Sequence, residues 1–470
     1  MTISTPALVR GGSTAADRVR ATALKAVLGG LIASRWATGD PIARLVAPAG
    51  RGDPYPIYRR TRERGLLVPG LIGLVTAHHH VATEILRDHE RFGSAPVPRP
   101  PDGPTSVVAR MIGALSPGGL PEKVDRRRAY PDVFERTPDP LGAESMIGMD
   151  PPDHTRVRRL VSRAFTPRAV ARIQDRVEEV AQRLLDEAPR DGFDLMSGYA
   201  GVLPVVVISE ILGIPAQDWE RVKSWGDTLA TGLDVLGGAP PERVAPALHG
   251  LAEYLTDLFE ARRADPGDQV VDSLLAASAR PGEDDADPER LTDRELMATA
   301  VLLLTAGFET TVNLLGNAVL ALLAHPDERR AVTDDPSLTA NAVEEVLRYE
   351  PSVQLTARIT RVDTELAGRR VRAGTVLVCM LAGANRDPAV FDDPERFDVR
   401  RANARDHLSF AAGVHYCLGA SLARLEGEVG LRLLLRNNPG LALDGRVTPG
   451  RGLILRGPRR LPLRLGRPAA

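Results

Sequence analysis

The fold of this chain is decided by ten residues near its C-terminus, Phe410-Ala411-Ala412-Gly413-Val414-His415-Tyr416-Cys417-Leu418-Gly419. Cys417 follows a glycine-containing loop and precedes a run of good helix formers that extends to Arg424. We therefore expect the sulfur at a helix N-terminus. Free backbone N–H groups and the positive end of the helix dipole favour a thiolate there. Such a thiolate is a strong ligand for iron.

The pattern Phe-x-x-Gly-x-His-x-Cys-x-Gly specifies several positions at once, which makes coincidence a poor explanation. A buried structural cysteine is the usual alternative, but it gives no reason for the other residues. The segment resembles the haem-binding loop of the cytochrome P450 family, in which cysteine is the proximal ligand of haem b. The family commonly has glycine where this chain has Ala411. The resemblance implies that Cys417 binds the iron and that Phe410, Gly413, His415 and Gly419 contact the cofactor.

A second resemblance lies in a long apolar helix, which is predicted to begin at the capping box Thr292-x-x-Glu295 and to end before Pro326. Its segment Ala306-Gly307-Phe308-Glu309-Thr310-Thr311 is similar to the oxygen-binding segment of the family. The resemblance implies that Ala306 and Gly307 border haem and substrate, that Thr310 binds oxygen and that Glu309 delivers protons. Taken alone, the segment also allows Thr310 to back-bond to the Ala306 carbonyl and Glu309 to reach a surface arginine.

Two further groups of charged residues stand at positions that match the family. Glu345 and Arg348 in Glu-x-x-Arg, with Arg396 in Pro-Glu-Arg-Phe, are expected to form a structural lock in which Glu345 lies between the two guanidinium groups. Haem carries two carboxylates into an apolar pocket, so the chain must supply cations or hydrogen-bond donors for them. The resemblance assigns this role to His154, Arg158, Arg358 and His407, with His415 as a further candidate.

Composition is typical of a soluble globular protein, with 60 Lys and Arg against 61 Asp and Glu. The expected fold class is mainly α with small β-sheets, a cytochrome P450 fold in a single large domain. Residues 1–50 are predicted to be an N-terminal extension, partly disordered with a short helix, and residues 51–470 the haem-thiolate monooxygenase domain. With two cysteines and a thiolate to keep reduced, a cytoplasmic location is expected. We expect no integral membrane segment, no nucleic-acid binding and a monomer.

Several other segments have local signals. The stretch 92–149 is rich in proline and glycine, and the resemblance implies that it roofs the substrate pocket. The break at 237–241 is predicted to be a hairpin between two helices, which the resemblance implies is a mobile lid. The run His78-His79-His80 is predicted to be a solvated turn rather than a metal site, since three consecutive side chains point in different directions. Cys379 is expected to be a packed strand residue.

The resemblance implies a monooxygenase that activates O₂ to hydroxylate or epoxidise an apolar small molecule such as a secondary metabolite, steroid or lipid. No flavin or nicotinamide fingerprint follows a strand, so NAD(P)H-derived electrons are expected through a separate ferredoxin and ferredoxin reductase. A peroxygenase and a haem sensor or carrier remain alternatives. The predicted pocket residues are Ala306, Val353, Leu355 and Ile454. The predicted docking face for an acidic electron carrier contains Arg156, Arg159, Arg163 and Arg424.

Overall fold

The computed structural model describes residues 29–30, 32–95, 144–162, 165–189, 191–231, 241–267, 270–279, 289–450 and 452–466. The α-helices within these ranges are α1 (Pro41–Val46), α2 (Pro48–Gly52), α3 (Tyr55–Glu63), α4 (His79–Arg87), α5 (Asp153–Ser162), α6 (Pro167–Ala171), α7 (Gln174–Asp186), α8 (Leu203–Ile211), α9 (Trp219–Thr231), α10 (Pro241–Ala264), α11 (Val270–Ala276), α12 (Asp293–Ala324), α13 (Pro326–Asp334), α14 (Thr339–Tyr349), α15 (Leu381–Ala384) and α16 (Ala420–Asn437). The predicted mainly helical fold class is confirmed.

The strands are short and belong to four small sheets. They are β1 (Val68–Gly70), β2 (Gly73–Thr76), β3 (Phe92–Gly93), β4 (Phe193–Asp194), β5 (Thr356–Thr360), β6 (Thr364–Leu366), β7 (Arg369–Val371), β8 (Val376–Cys379), β9 (Ala442–Leu443), β10 (Thr448–Pro449), β11 (Pro458–Arg460) and β12 (Pro462–Arg464). The main sheet has the order β1-β2-β8-β5-β3. In it β2 pairs parallel with β8, so Thr76 lies opposite Cys379, and the remaining pairs are antiparallel. Cys379 is fully buried, as predicted.

The central element is α12, which packs against α8, α9, α14 and α16. Its predicted capping box is confirmed, because the Thr292 hydroxyl accepts from the Glu295 N–H and the Glu295 carboxylate accepts from the Thr292 N–H. The helix ends at Ala324, before Pro326. By length and composition α12 could cross a membrane, but 72% of its 18-residue apolar segment is buried inside the fold. That burial identifies α12 as the core helix of the described structure.

The N-terminal segment contributes to the core before residue 50. Ile42 and Leu45 of α1 are buried in an apolar cluster with Val378 of β8 and Met380. Residues 29–30 and 32–37 are helical. Residues 1–28 lie outside the described ranges, as do most of the predicted roof at 92–149 and of the predicted lid at 237–241, so these assignments and the boundary at residue 50 stay predictions.

The histidine run is not the solvated turn that the sequence suggested. The helix α4 begins at His79, and His78 is its N-cap residue in an extended conformation. The N–H of His79 donates to Asp387 at 2.9 Å, and this carboxylate is buried. The run is thus tied to the segment that follows α15.

The buried carboxylate of Glu345 organises the chain between α14 and α16. Arg348 donates to both of its oxygens, at 2.7 and 2.8 Å, so the predicted Glu345–Arg348 pair is confirmed. The predicted second partner, Arg396, is wrong: its side chain is 61% exposed and faces Asp398 at 3.7 Å. Arg401 takes that place, with its Nε 3.3 Å from Glu345.

The reason for the exchange is backbone geometry. Arg396 contributes its carbonyl oxygen, which accepts from both Arg348 and Arg401 at 2.9 Å. Because the Arg396 carbonyl points towards Arg348 and Arg401, the Arg396 side chain is directed away from Glu345. The carboxylate is completed by the N–H of Asp398, at 2.9 Å.

Arg401 and Arg396 form a matched pair for a test of this network. Removal of one partner from a buried ion pair costs about 3 kcal/mol or more, because a buried charge loses compensation. We expect Arg401→Ala to lower the free energy of unfolding by about that amount, and Arg396→Ala to change it by less than about 0.5 kcal/mol. Denaturant unfolding followed by circular dichroism measures both. Equal losses in the two variants would contradict the assignment of Arg401.

Candidate active site

The cysteine loop is closed on itself before it enters α16. The N–H of Cys417 donates to the Phe410 carbonyl at 2.9 Å, and residues 413–415 form a single 3₁₀ turn. Gly419 is the N-cap of α16, so Cys417 lies just ahead of the helix N-terminus, as predicted. A side chain at Gly419 would meet nothing within 4 Å, which leaves open space beside the sulfur.

Two residues of the loop adopt left-handed backbone conformations. Ala411 has φ 58° and Gly413 has φ 70°. At Gly413 a Cβ would lie 2.4 Å from the Leu86 carbonyl oxygen at the end of α4, so only glycine fits. Ala411 has a real Cβ, and its left-handed conformation costs about 1 kcal/mol of backbone strain.

The electrostatic setting of the Cys417 thiol has opposing parts. Cys417 has solvent-exposed surface, but many protein atoms surround its thiol. This burial raises the pKa of the thiol. The Gly419 N–H, which hydrogen-bonds the sulfur, and the cations Arg158 and Arg424 lower that pKa. The helix terminus alone therefore does not make a thiolate here. A metal cation at the sulfur would, because coordination replaces the proton.

Four of the five predicted carboxylate-binding residues converge beside the loop. The rings of His154 and His415 lie 4.3 Å apart, centroid to centroid. Arg158 of α5 donates to the Tyr416 carbonyl at 2.6 Å, and Arg358 of β5 interacts electrostatically with both histidines. Burial and the neighbouring guanidinium groups lower the pKa of His154 to about 4 and that of His415 to about 3.

This cluster fits the carboxylates of a haem. Burial lowers the pKa of both Arg158 and Arg358, and within the described ranges neither forms a salt bridge. The buried Nε2 of His154 has no hydrogen-bond partner. Buried cations and an orphaned ring nitrogen are unfavourable unless an anion accepts from them. A dicarboxylate ligand would satisfy these groups together.

His407 contacts other groups in this structure, and its predicted role as a carboxylate ligand stays a prediction. Its Nε2 lies 3.0 Å from the buried Glu344, and its Nδ1 accepts from the Ser409 N–H at 3.2 Å. Both ring nitrogens are therefore occupied by the chain. Burial raises the pKa of Glu344, but hydrogen bonds from His407 and Arg424 outweigh it and bring that pKa to about 2. This ion pair braces α14 against the start of the cysteine loop.

The middle of α12 is exposed where its flanking residues are buried. Ala306 has an exposed surface between the buried Thr305 and the partly buried Gly307. A Cβ on Gly307 would make only ordinary contact with Ile208, at 3.6 Å, so packing within the protein does not require glycine there. An open side on a core helix indicates a space for a ligand.

The predicted oxygen and proton residues lie on this open stretch. The Thr310 hydroxyl donates to the Ala306 carbonyl at 2.9 Å, which is the back-bonding that the sequence allowed as an alternative. Glu309 accepts from the Asn313 amide at 3.3 Å rather than from an arginine. Burial and then the charge of Asp227 raise the pKa of Glu309. The helix is continuous through Gly307.

Glu426 is a buried acid that the sequence analysis missed. Glu426 of α16 is fully buried, hydrogen-bonds Thr311 of α12, and burial raises its pKa to about 8. The signal was available in the sequence, since Glu426 falls on the helical stripe that contains Leu422, Val429 and Leu433. A carboxyl group on an apolar stripe is either paired or protonated.

The predicted pocket and docking residues are only partly brought together. Val353 and Leu455 form a bridge, and the Gln354 N–H donates to Ile454, so Val353 and Ile454 are neighbours with partly exposed side chains. Leu355 is 8% exposed and lies in the apolar cluster against which Ile454 also packs, and its place on the pocket wall stays a prediction.

The predicted positive docking face is largely neutralised. Arg156 pairs with Glu295, Arg159 lies 2.7 Å from Glu289, and Arg424 lies 2.6 Å from Glu344. Arg163 lies outside the described residues. These arginines therefore balance acids of the same chain instead of offering free positive charge.

Comparison with known proteins agrees with this geometry. The family model described as Cytochrome P450 matches residues 241–438. Putative cytochrome P450 140 of Mycobacterium tuberculosis is 40% identical over 457 residues, which cover 96% of this chain and 98% of the relative. The vitamin D(3) 25-hydroxylase of Pseudonocardia autotrophica is 41% identical over 376 residues, 78% of this chain and 89% of the relative. The ligand-free structure of Mycobacterium smegmatis CYP164A2 has a TM-score of 0.74 at 34% identity, covering 90% of this chain and 99% of that one.

Ala411 gives a test of the loop geometry. Because a left-handed conformation is strained for alanine, we expect Ala411→Gly to raise the free energy of unfolding by about 0.5–1 kcal/mol. Ala412, with φ −153°, is extended and serves as the control. There the change to glycine should be destabilising by a similar amount. Thermal unfolding of the two variants measures the difference, and a stabilising effect at both positions would contradict it.

The buried acid gives a prediction about pH. The raised pKa means that the folded protein keeps the Glu426 proton where the unfolded chain, with a pKa near 4.5, has lost it. Wild-type stability relative to Glu426→Gln should therefore fall by up to about 1.4 kcal/mol per pH unit from near 4.5 towards 8, and then level off. Urea unfolding at a series of pH values tests this. A stability difference independent of pH would refute it.

Proposed function

The chain belongs to the cytochrome P450 family and is a monooxygenase, and from this premise we propose that it hydroxylates or epoxidises an apolar small molecule with electrons from a ferredoxin and its reductase. The observation that supports the proposal is the open side of α12. There Ala306 is exposed in the middle of a buried helix, beside Glu309 and Thr310. An oxygenase needs a water-poor space with a proton supply at that point.

The residues proposed to hold haem b are those that fit it. Cys417 would supply the thiolate ligand, and His154, Arg158, Arg358 and His415 would hold the carboxylates. When bound, haem would supply oxygen activation, in which two electrons and two protons convert one atom of O₂ to water and the other atom enters the substrate. The chain must then supply the protons and the orientation.

Proton delivery is proposed to run through Glu309 and Thr310. The raised pKa of Glu309 keeps a proton available closer to neutral pH than for an ordinary carboxyl group. Lys223 and Asp227 of α9 lie 2.7 Å apart and interact electrostatically with Glu309. Their partly exposed side chains would connect Glu309 to solvent. The Thr310 hydroxyl can rotate from the Ala306 carbonyl towards the open space and donate there.

The proposed substrate class follows from the apolar side chains near the open side of α12. Ala306, Val353 and Ile454 offer partly exposed apolar surface, and the run Met297 to Thr305 before them is nearly free of polar side chains. Relatives named for vitamin D(3) 25-hydroxylation and for 6-deoxyerythronolide B hydroxylation support an apolar substrate such as a secondary metabolite, steroid or lipid.

The electron source and location are proposed on more general grounds. No flavin or nicotinamide fingerprint follows a strand in the sequence, so NAD(P)H-derived electrons would arrive through partner proteins. A thiolate that must stay reduced suits the cytoplasm. A monomeric state is part of the same proposal.

Replacement of Thr310 tests the proposed oxygen chemistry. With substrate, NADPH, ferredoxin and reductase, we expect Thr310→Ala to consume NADPH but to yield about a hundredfold less product per NADPH, because the proton donor is lost. Thr310→Ser keeps the hydroxyl and should retain most of the coupling. The measurement is product against NADPH and hydrogen peroxide formed.

The same assays separate the alternatives. Turnover with hydrogen peroxide but not with ferredoxin and reductase would indicate a peroxygenase. Absence of any oxygen-dependent product over a broad substrate panel would indicate a sensor or carrier. A reduced carbon-monoxide spectrum without the red-shifted thiolate band in wild type would overturn the role of Cys417.

A further inference from the structure

Three side chains outside the active site converge where α4 begins. His78 and His80 have ring centroids 5.8 Å apart, and each offers a ring nitrogen near a carboxylate oxygen of Asp387. The three ligand atoms lie within 4.8 Å of one another. His78 is half-buried, His80 is exposed and Asp387 is buried. Such convergence is possible because His78 is an extended N-cap residue, so residues 78 and 80 do not follow helical spacing at this point.

The hydrogen bonds of His78 determine which nitrogen faces the acid. Its Nε2 lies 3.0 Å from the Arg62 carbonyl, which can only accept, so Nε2 carries the proton. The other nitrogen, Nδ1, lies 3.7 Å from Asp387 Oδ2. In the neutral ring both atoms are electron-pair donors that face each other, which is favourable only with a cation between them.

We propose that His78, His80 and Asp387 bind a zinc-type divalent cation. Two imidazoles and one carboxylate are a common donor set for Zn²⁺, and water can complete the tetrahedron. Bonds of about 2.0–2.1 Å place tetrahedral ligand atoms about 3.3 Å apart, so the 3.7 Å between Nδ1 and Oδ2 needs only a small adjustment. The exposed His80 can rotate to close the remaining distance.

The surroundings supply the outer contacts that metal sites use. A histidine ligand usually donates its second ring N–H to a carbonyl or carboxylate, and His78 already does so towards Arg62. Asp387 is oriented by the N–H of His79 at 2.9 Å and by that of Ala389 at 3.1 Å. The guanidinium of Arg62, which interacts with Asp387, is directed to the Gly383 carbonyl at 2.9 Å.

The ligand chemistry excludes the hard cations. Mg²⁺ and Ca²⁺ prefer oxygen ligands, whereas imidazole suits Zn²⁺, Ni²⁺ and Cu²⁺. A bound ion would join α4 to the segment after α15. That segment includes Asn385, whose side chain accepts from the Leu408 N–H at 2.7 Å and donates to Ser409 at 2.8 Å. The site would therefore stabilise the approach to the cysteine loop without contacting the active site.

Zinc binding to the haem-loaded protein, prepared without a histidine tag, tests the proposal. Equilibrium dialysis with metal analysis should find one Zn²⁺ per chain in wild type, with no comparable uptake of Mg²⁺. His80→Ala, which alters an exposed side chain, should weaken Zn²⁺ affinity by at least about tenfold. Zinc should raise the melting temperature of wild type and leave that of His80→Ala unchanged.

His249→Ala is the matched control, because His249 pairs only with Glu253, at 3.2 Å. It should bind zinc as wild type does. Asp387→Asn, which keeps a side-chain oxygen for the two N–H groups, should weaken binding while the haem spectrum stays normal. Zinc affinity that is the same in wild type and His80→Ala would overturn the proposal. So would the absence of stoichiometric zinc in wild type.

Discussion

The buried carboxylate of Glu345 is the constraint on which the chain between α14 and the cysteine loop depends. A fully buried charge is tolerated only when donors surround it, and here Arg348, Arg401 and a backbone N–H do so. The same two guanidinium groups then hold carbonyl oxygens between Asn385 and Arg396. The Asn385 side chain then hydrogen-bonds Leu408 and Ser409, which lead directly into the loop that contains Cys417.

The parts of the site that the sequence predicted well are those encoded by near neighbours. The capping box at Thr292, the end of α12 before Pro326 and the Glu345–Arg348 pair each depend on residues a few positions apart. The left-handed backbone of Ala411 was not predicted, although the family glycine at that position is a local signal for it. Such interactions depend mainly on residues close in sequence and little on how the rest of the chain packs.

The errors concern choices made over long separations. Whether Arg396 or Arg401 reaches Glu345 depends on which way the loop presents its carbonyls, and no pattern of residue types contains that information. The contact of His407 with Glu344 of α14 is likewise long-range and was not predicted. Glu426 is different, because helical periodicity was sufficient to place this acid on a buried stripe, yet it was not among the predicted residues.

The parallel pairing of β2 with β8 has a consequence for how the protein is made. It joins Gly73–Thr76 to Val376–Cys379, and β5, the next strand in the sheet, is almost as far from β2 along the chain. During synthesis the N-terminal strands have to wait for most of the polypeptide to leave the ribosome before the main sheet can form. The cofactor cleft, which takes Arg358 from that sheet and Cys417 from beyond it, is therefore assembled late, and cofactor capture is a post-translational event.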